Sequence, residues 1–469
     1  MTSAGQAPGP TPPPDAAPAA VPGSSPMPHD APRAAVPGRG PMPHDAARPA
    51  APASGPMLLR DAVLADGRRV DVLLRDGLID AVTPAGTASV APGDRVEDLA
   101  GFLLLPAPAE VHAHLDKALT AEQVPHSGGD LLGAVTAWLR HRPTRGQDEI
   151  EAAARTALRA HLAHGVTALR THVDLGDDIG LRGLRALLAV RDAEAARCDV
   201  QLVAFAATPL TGPAGARNRE LLEQALAAGA DAVGACPGLD PDPAACVDLC
   251  LATASAYGVG VDLHVDEWLH PEPCSLELLA DAVVASGFAH PVVAGHCVSL
   301  GMMDPARAAR VADRVALAGI AVACLPQTNL YLQGRDHDRA VPRGLTALRT
   351  LRAAGVTVAA GGDNMQDPFN SLGRGDPLET AALMVLAGHD DPATAYDAVS
   401  VRARHAMGLP PVAVVPGAPA ELLAVRAATV REALATTTAE RLVVHAGRVI
   451  ARTAVHRHFP DEKEMGGTA

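Results

Sequence analysis

From Met57 onward the chain alternates between two kinds of pattern. Short β-branched or Leu-rich runs are followed by Ala/Leu-rich stretches whose apolar residues recur at helical spacing, as in Glu149-Ile-Glu-Ala-Ala-Ala-Arg-Thr-Ala-Leu-Arg-Ala-His161. The runs predict eight strands: Leu103–His114, Val166–Val173, Val200–Ala206, Ala232–Ala235, Val259–Val265, Pro291–His296, Ile320–Leu325 and Val356–Gly361. Several helical stretches stop at a glycine followed by a β-branched residue, at Gly165-Val, Gly258-Val, Gly319-Ile and Gly355-Val. Alternating strand and helix implies parallel strands with crossover helices, and eight such units predict an α/β fold of the (β/α)8 TIM-barrel type. An open doubly wound sheet is second, since no G-x-G-x-x-G opens a helix here.

The flanks have a different texture. Leu58–Leu64, Val70–Leu74 and Gly77–Val82 are short β runs split by Asp-Gly turns at 66–67 and 76–77. Pro416–Val425 and Arg441–Ile450 resemble them, so residues 57–100 and 408–455 are expected to form one small β-sandwich beside a barrel of residues 101–407. Residues 1–56 are rich in Pro, Ala and Gly and repeat Ala-Ala-Val-Pro-Gly from Ala19 and again from Ala34. Such a segment cannot bury enough apolar surface to offset its ordering entropy, so a disordered tail is expected, with a flexible end at 456–469.

Composition narrows the functional classes. The chain has 469 residues, is 48% hydrophobic, and carries a net charge of −14 with no basic cluster, which argues against a nucleic-acid partner. Seven cysteines form an odd, scattered set, the pattern of reduced thiols in a cytoplasmic protein. No apolar run approaches the ~20 residues of a membrane span. The expected partners are a small molecule and a second copy of the chain.

In a barrel of this type function sits at the C-terminal strand ends. The first ends in His112-Ala-His114, two imidazoles on one face of a strand. The second ends in Arg170-Thr-His172-Val-Asp174, where a structural hydrogen-bonding role is expected. The fifth ends in His264-Val-Asp266-Glu267, the sixth in Gly295-His296, and the eighth in Gly361-Gly-Asp363-Asn364. His112, His114, His264 and Asp363 would supply three nitrogens and a carboxylate, a set suited to one divalent ion, zinc or iron. His126, His141, His161 and His164 have helical or loop contexts and are expected at the surface.

These residues resemble the amidohydrolase superfamily, in its cytosine deaminase-like branch. Arg170-Thr-His-Val-Asp174, Leu202-Val-Ala-Phe205, Asp231-Ala-Val-Gly-Ala235, Leu332-Gln-Gly-Arg335 and Asp363-x-x-x-Asp367-Pro follow that family's order, so the resemblance covers roughly Met57 to Arg452. It implies a mononuclear metal site, because strand four ends in Val233-Gly-Ala-Cys236 without the lysine that bridges two metals in binuclear relatives. It implies that Glu267 moves a proton from water to a ring nitrogen, that His296 orients the attacking hydroxide, and that Asp363 both ligates the metal and passes a proton to the departing amine. Asp116 would either orient a ligand histidine or cap a turn.

The pattern also departs from cytosine deaminases in the substrate positions. Their pyrimidine-reading glutamine is here Ala207, a second Asp is Asn364, Asp-Pro-Trp is Asp367-Pro-Phe369, and a threonine after His-Leu-Asp is Lys117. The reaction expected is therefore metal-dependent hydrolysis of a C–N bond in a small N-heterocycle or cyclic amidine, releasing ammonia. Release of an alkylamine or opening of a cyclic amide is the alternative, and a non-catalytic metabolite-binding homologue is the contrasting class.

Overall fold

The computed structural model describes residues 55–89, 91, 93–124 and 128–459. The expected N-terminal tail up to residue 54, His126, and the last ten residues lie outside them.

Two sheets organise the chain. The barrel sheet runs β6 (Ala109–Ala113), β7 (Ala168–Asp174), β8 (Asp199–Phe205), β9 (Ala232–Gly234), β10 (Gly260–Val265), β11 (Val292–His296), β12 (Ala321–Cys324) and β13 (Val358–Ala360), all parallel and in sequence order. It closes where Ala113 bridges Asp363 and the Asp363 N–H donates to the His112 carbonyl at 3.0 Å. Closure abolishes the sheet edges and brings the ends of the first and last strands into contact. Buried Glu110 latches the seam, accepting from the His112 N–H at 3.1 Å and the Gly362 N–H at 2.9 Å. A Cβ at Gly361 would lie 2.3 Å from that carboxylate, so only glycine fits there.

The flank sheet contains β1 (Met57–Val63), β2 (Arg69–Arg75), β3 (Leu78–Pro84), β4 (Arg95–Asp98), β5 (Leu103–Pro106), β14 (Leu422–Val425), β15 (Arg441–His445) and β16 (Arg448–Thr453), in the order β16-β15-β14-β5-β1-β2-β3 with β4 on β1. Both flanks contribute to one core, where Leu59, Val72 and Ile79 share a cluster with Leu422, Ala424 and Val444. The sheet is mixed rather than antiparallel throughout, since β1 pairs in parallel with β4 and β5.

The predicted first strand, Leu103–His114, is in fact two. Pro106-Ala-Pro108 breaks the ladder: β5 pairs with β14 of the flank sheet and β6 opens the barrel. The run at 103–105 reads as continuously apolar because both of its faces are buried. Leu104 joins the flank core, and Leu103 and Leu105 join the barrel core.

A buried ion pair ties the flank sheet to the helices around the barrel. Arg441 on β15 binds Asp376, the cap of helix Pro377–Leu386, through two hydrogen bonds of 2.8 Å, and donates to the His164 carbonyl at 2.7 Å. Arg441→Met strands a buried carboxylate and is expected to cost about 3–5 kcal/mol, read as a lower urea midpoint at unchanged slope. A loss under about 1 kcal/mol would mean that the pair does not hold the flank sheet to the barrel helices. Nearby, His161 is not a surface residue: it is buried against Gly375, whose Cβ would fall 2.5 Å from the ring, and burial drives its pKa down to about 3.

Candidate metal centre and pocket

Strand ends deliver the site because alternate side chains of a closed barrel point inward. From β6 come His112 and, just beyond it, His114; β10 supplies His264, β11 His296, and the segment after β13 Asp363. The Nε2 atoms of His112 and His114 lie 3.2 and 3.1 Å from that of His264. Asp363 Oδ1 lies 3.4 Å from His114 Nε2 and 3.8 Å from His112 Nε2.

These four atoms satisfy one another poorly. Neither carboxylate oxygen of Asp363 has a hydrogen-bond partner among the described residues. Burial first, then neighbouring imidazoles and Lys117, pushes the three histidines well below the usual range. Burial and the acids Glu267, Asp367 and Glu110 push Asp363 well above its own. A tetrahedral ion with bonds of about 2.1 Å spaces its ligands by about 3.4 Å, which matches the spread of distances here. Three neutral nitrogens and an unpartnered buried carboxylate therefore fit a single divalent cation.

Beneath the histidines lies a polar floor. Asp262 on β10 accepts from Arg170 Nη1 at 2.8 Å, and Arg170 is held by Gln201 and the Met407 carbonyl. His172 approaches Asp262 through its Nε2 and packs on His112 with ring centroids 4.0 Å apart. It could itself join a metal set with His112 and His114. The hydrogen-bonding role expected for this strand end is what Arg170 and His172 perform; their partner Asp262 was not foreseen.

Glu267 is buried, 3.5 Å from His296 Nδ1, and burial raises its pKa to about 8. His296 is buried with a positive φ of 67°, and Asp363 has one of 65°, a costly backbone choice for non-glycine residues that clusters at functional sites. The Asp116 carboxylate accepts the Asp174 N–H at 2.9 Å and so joins the segments that follow β6 and end β7.

Above the cluster opens a pocket of about 1040 Å³, lined by Lys117, Trp138, Ala207, Asn364 and Phe369 among others. Lys117 is buried in the pocket wall. Its Nζ donates to Asp174 at 3.0 Å and sits 5.7 and 5.3 Å from the rings of Trp138 and Phe369. Burial opposes its charge, but Asp174, Asp116 and Asp367 outweigh that and raise its pKa. Asp174 also takes the Trp138 indole N–H at 2.6 Å, which pins helix Leu131–His141 over the pocket. Asn364 donates to Asp367 at 2.8 Å, and Ala207 offers no side-chain polar group.

The chain is similar to known proteins in sequence and in fold. The sequence profile of the amidohydrolase family matches residues 129–451. A pterin deaminase of Rhizobium rhizogenes is 33% identical over 404 residues, 85% of this chain and 90% of that protein. A 5-methylcytosine deaminase from Klebsiella pneumoniae, crystallised with phosphonocytosine, is 29% identical with a TM-score of 0.78, covering 86% of this chain and all of that one. An N-isopropylammelide isopropylaminohydrolase from Burkholderia multivorans is 30% identical with a TM-score of 0.74, covering 85% of this chain and 98% of that one. Enzymes of this family are metal-dependent. With its (β/α)8 barrel and a histidine cluster able to hold a metal, the chain belongs to the amidohydrolase family and is a hydrolase of non-peptide carbon–nitrogen bonds.

Proposed function

We propose that the protein removes an exocyclic amine from a nitrogen heterocycle as ammonia, water supplying the oxygen that replaces it, and that the ring is a pterin-like bicycle. The observation that carries the reaction is the convergence of three Nε2 atoms and Asp363 Oδ1 beside the buried carboxyl of Glu267. The ring is argued from the pocket, roomier than a single pyrimidine needs, and from the similarity to the pterin deaminase.

In this reading His112, His114, His264 and Asp363 hold one divalent ion, zinc or iron. When bound, that ion supplies Lewis-acid activation of water at neutral pH. Glu267, whose raised pKa lets it carry a proton near neutrality, protonates the ring nitrogen next to the carbon under attack. His296 holds the attacking oxygen by a hydrogen bond. Asp363 takes the proton left by that oxygen and hands it to the amine as it departs. Lys117 offers its remaining N–H donors to an oxygen on the ring, between the faces of Trp138 and Phe369. Asn364 sits where a ring edge is read, and Ala207 leaves space there in place of a hydrogen bond. A pyrimidine edge facing Ala207 would be left without the hydrogen bond that a glutamine supplies, which disfavours cytosine.

The similarity to the ammelide hydrolase favours a second reading, release of an alkylamine from an N-substituted ring. The deciding experiment measures metal content and ammonia release across pterins, pyrimidines, triazines and creatinine-like rings. Ammonia from pterins is expected. Alkylamine release alone would select the second reading, and a metal-loaded protein inert on every ring would sink both. Chelation is expected to abolish turnover and lower the melting temperature, with zinc or iron restoring both; turnover that survives complete metal removal would refute the proposal. The seven free cysteines, six of them buried, fit a reducing compartment such as the cytoplasm.

A further inference from the structure

On distance alone His296 qualifies as a metal ligand, since one nitrogen from each of His112, His264 and His296 lies within 4.8 Å of the others. What separates a ligand from a hydrogen-bond donor is the location of the single proton of a neutral imidazole. Two groups compete for His296 Nδ1: Asn329 Nδ2 at 3.1 Å and Glu267 Oε1 at 3.5 Å. Nε2 has no hydrogen-bond partner among the described residues.

We infer that Asn329 fixes His296 in the tautomer with its hydrogen on Nε2, so that His296 donates to the attacking oxygen and is barred from serving as a fourth imidazole ligand. The inference rests on the reading of His296 given above. Asn329 is fully buried, and its backbone is anchored at both sides, its N–H donating to Leu325 O at 3.1 Å and its carbonyl accepting from Gln333 at 3.0 Å. With the amide nitrogen toward the ring, one amide hydrogen is bonded and the Asn329 carbonyl oxygen has no partner among the described residues. The reverse orientation would leave both amide hydrogens without one, and buried orphan N–H groups are rarer than under-satisfied carbonyls. The positive φ of His296 and the Thr346 hydroxyl bond to its carbonyl, at 2.5 Å, hold its backbone, and the rings of His112 and His264, with centroids 5.4 and 5.1 Å away, crowd its imidazole. A nitrogen that accepts from Asn329 leaves the hydrogen on Nε2, and a nitrogen bearing a hydrogen has no lone pair for a metal. Asn329 is thus a positioning residue.

The test uses the zinc-loaded protein with 15N-labelled histidine, reading the His296 tautomer from long-range 1H–15N correlations and assigning the signal by its loss in His296→Asn. The expected result is a hydrogen on Nε2 in the native protein. Asn329→Asp replaces the donor by an acceptor, which moves the hydrogen to Nδ1 and frees Nε2. That variant is expected to bind metal about 10-fold more tightly, with an altered cobalt absorption spectrum as His296 enters the coordination sphere. Its kcat should fall about 10²-fold. Asn329→Leu removes the restraint without supplying an acceptor; it should show a mixture of the two tautomers, a cobalt spectrum between those of the native protein and Asn329→Asp, and a loss of about 10-fold in kcat at nearly constant KM. A native protein with its hydrogen on Nδ1 would overturn the inference, as would an Asn329→Asp protein with the native tautomer and turnover. The tautomer is read without substrate. A native protein with the Nε2 hydrogen but no ammonia from any ring would therefore refute the deaminase reading alone.

Discussion

Asp363→Asn is expected to lower kcat by about 10³-fold and to reduce bound metal, while the thermal melt of the metal-free protein stays in place. Asparagine tolerates positive φ as well as aspartate does, so the backbone at φ 65° accepts the change without strain. The buried site also loses a carboxylate that burial already disfavours, so the fold has no reason to weaken. What disappears is chemical. A neutral amide is a poorer partner for a divalent ion than a carboxylate, and it cannot accept the proton that must reach the leaving amine. Metal analysis beside ammonia release separates the two losses. Full turnover with full metal in this variant would show that Asp363 does neither job.

Glu267→Gln is the second large effect, a fall in kcat of about 10²- to 10⁴-fold with metal stoichiometry unchanged. Glu267 lies beside His296 rather than among the converging nitrogens, and glutamine keeps its shape and its buried, uncharged character. KM is expected to move little, because a proton delivered during bond formation stabilises the transition state more than the bound substrate. Loss of metal with unchanged turnover per bound ion would instead identify Glu267 as a ligand and require the roles to be redrawn.

The contrast between these two carboxylates and the residues around them marks how far the sequence could be read. Asp363, Glu267 and the three histidines were legible because each stands at the end of an apolar run, where a polar side chain is conspicuous. Lys117 was visible as a residue type but not as an environment. Nothing next to it in sequence announces that Asp174, Trp138 and Phe369 enclose its ammonium. His172 and Arg170 were read as a strand-end hydrogen-bonding pair, whereas they meet Asp262 from a strand about 90 residues away. Asn329 offered no signal at all, since its meaning depends on a ring nitrogen on another strand.

Period and punctuation in the chain determined the barrel, its strand ends and the kinds of donor atom available, because alternation and glycine stops act over a few residues. The break at Pro106-Ala-Pro108 was written in the chain too, yet which sheet took each half depended on pairing partners some 300 residues away in β14. Tertiary structure alone decided distances and proton positions: the 3.1–3.8 Å spacing of the four donors, the burial that shifts Glu267, and the contact between Asn329 and His296. Those quantities depend on barrel closure, which sets residues remote in sequence within hydrogen-bonding reach in a buried setting that disfavours charge.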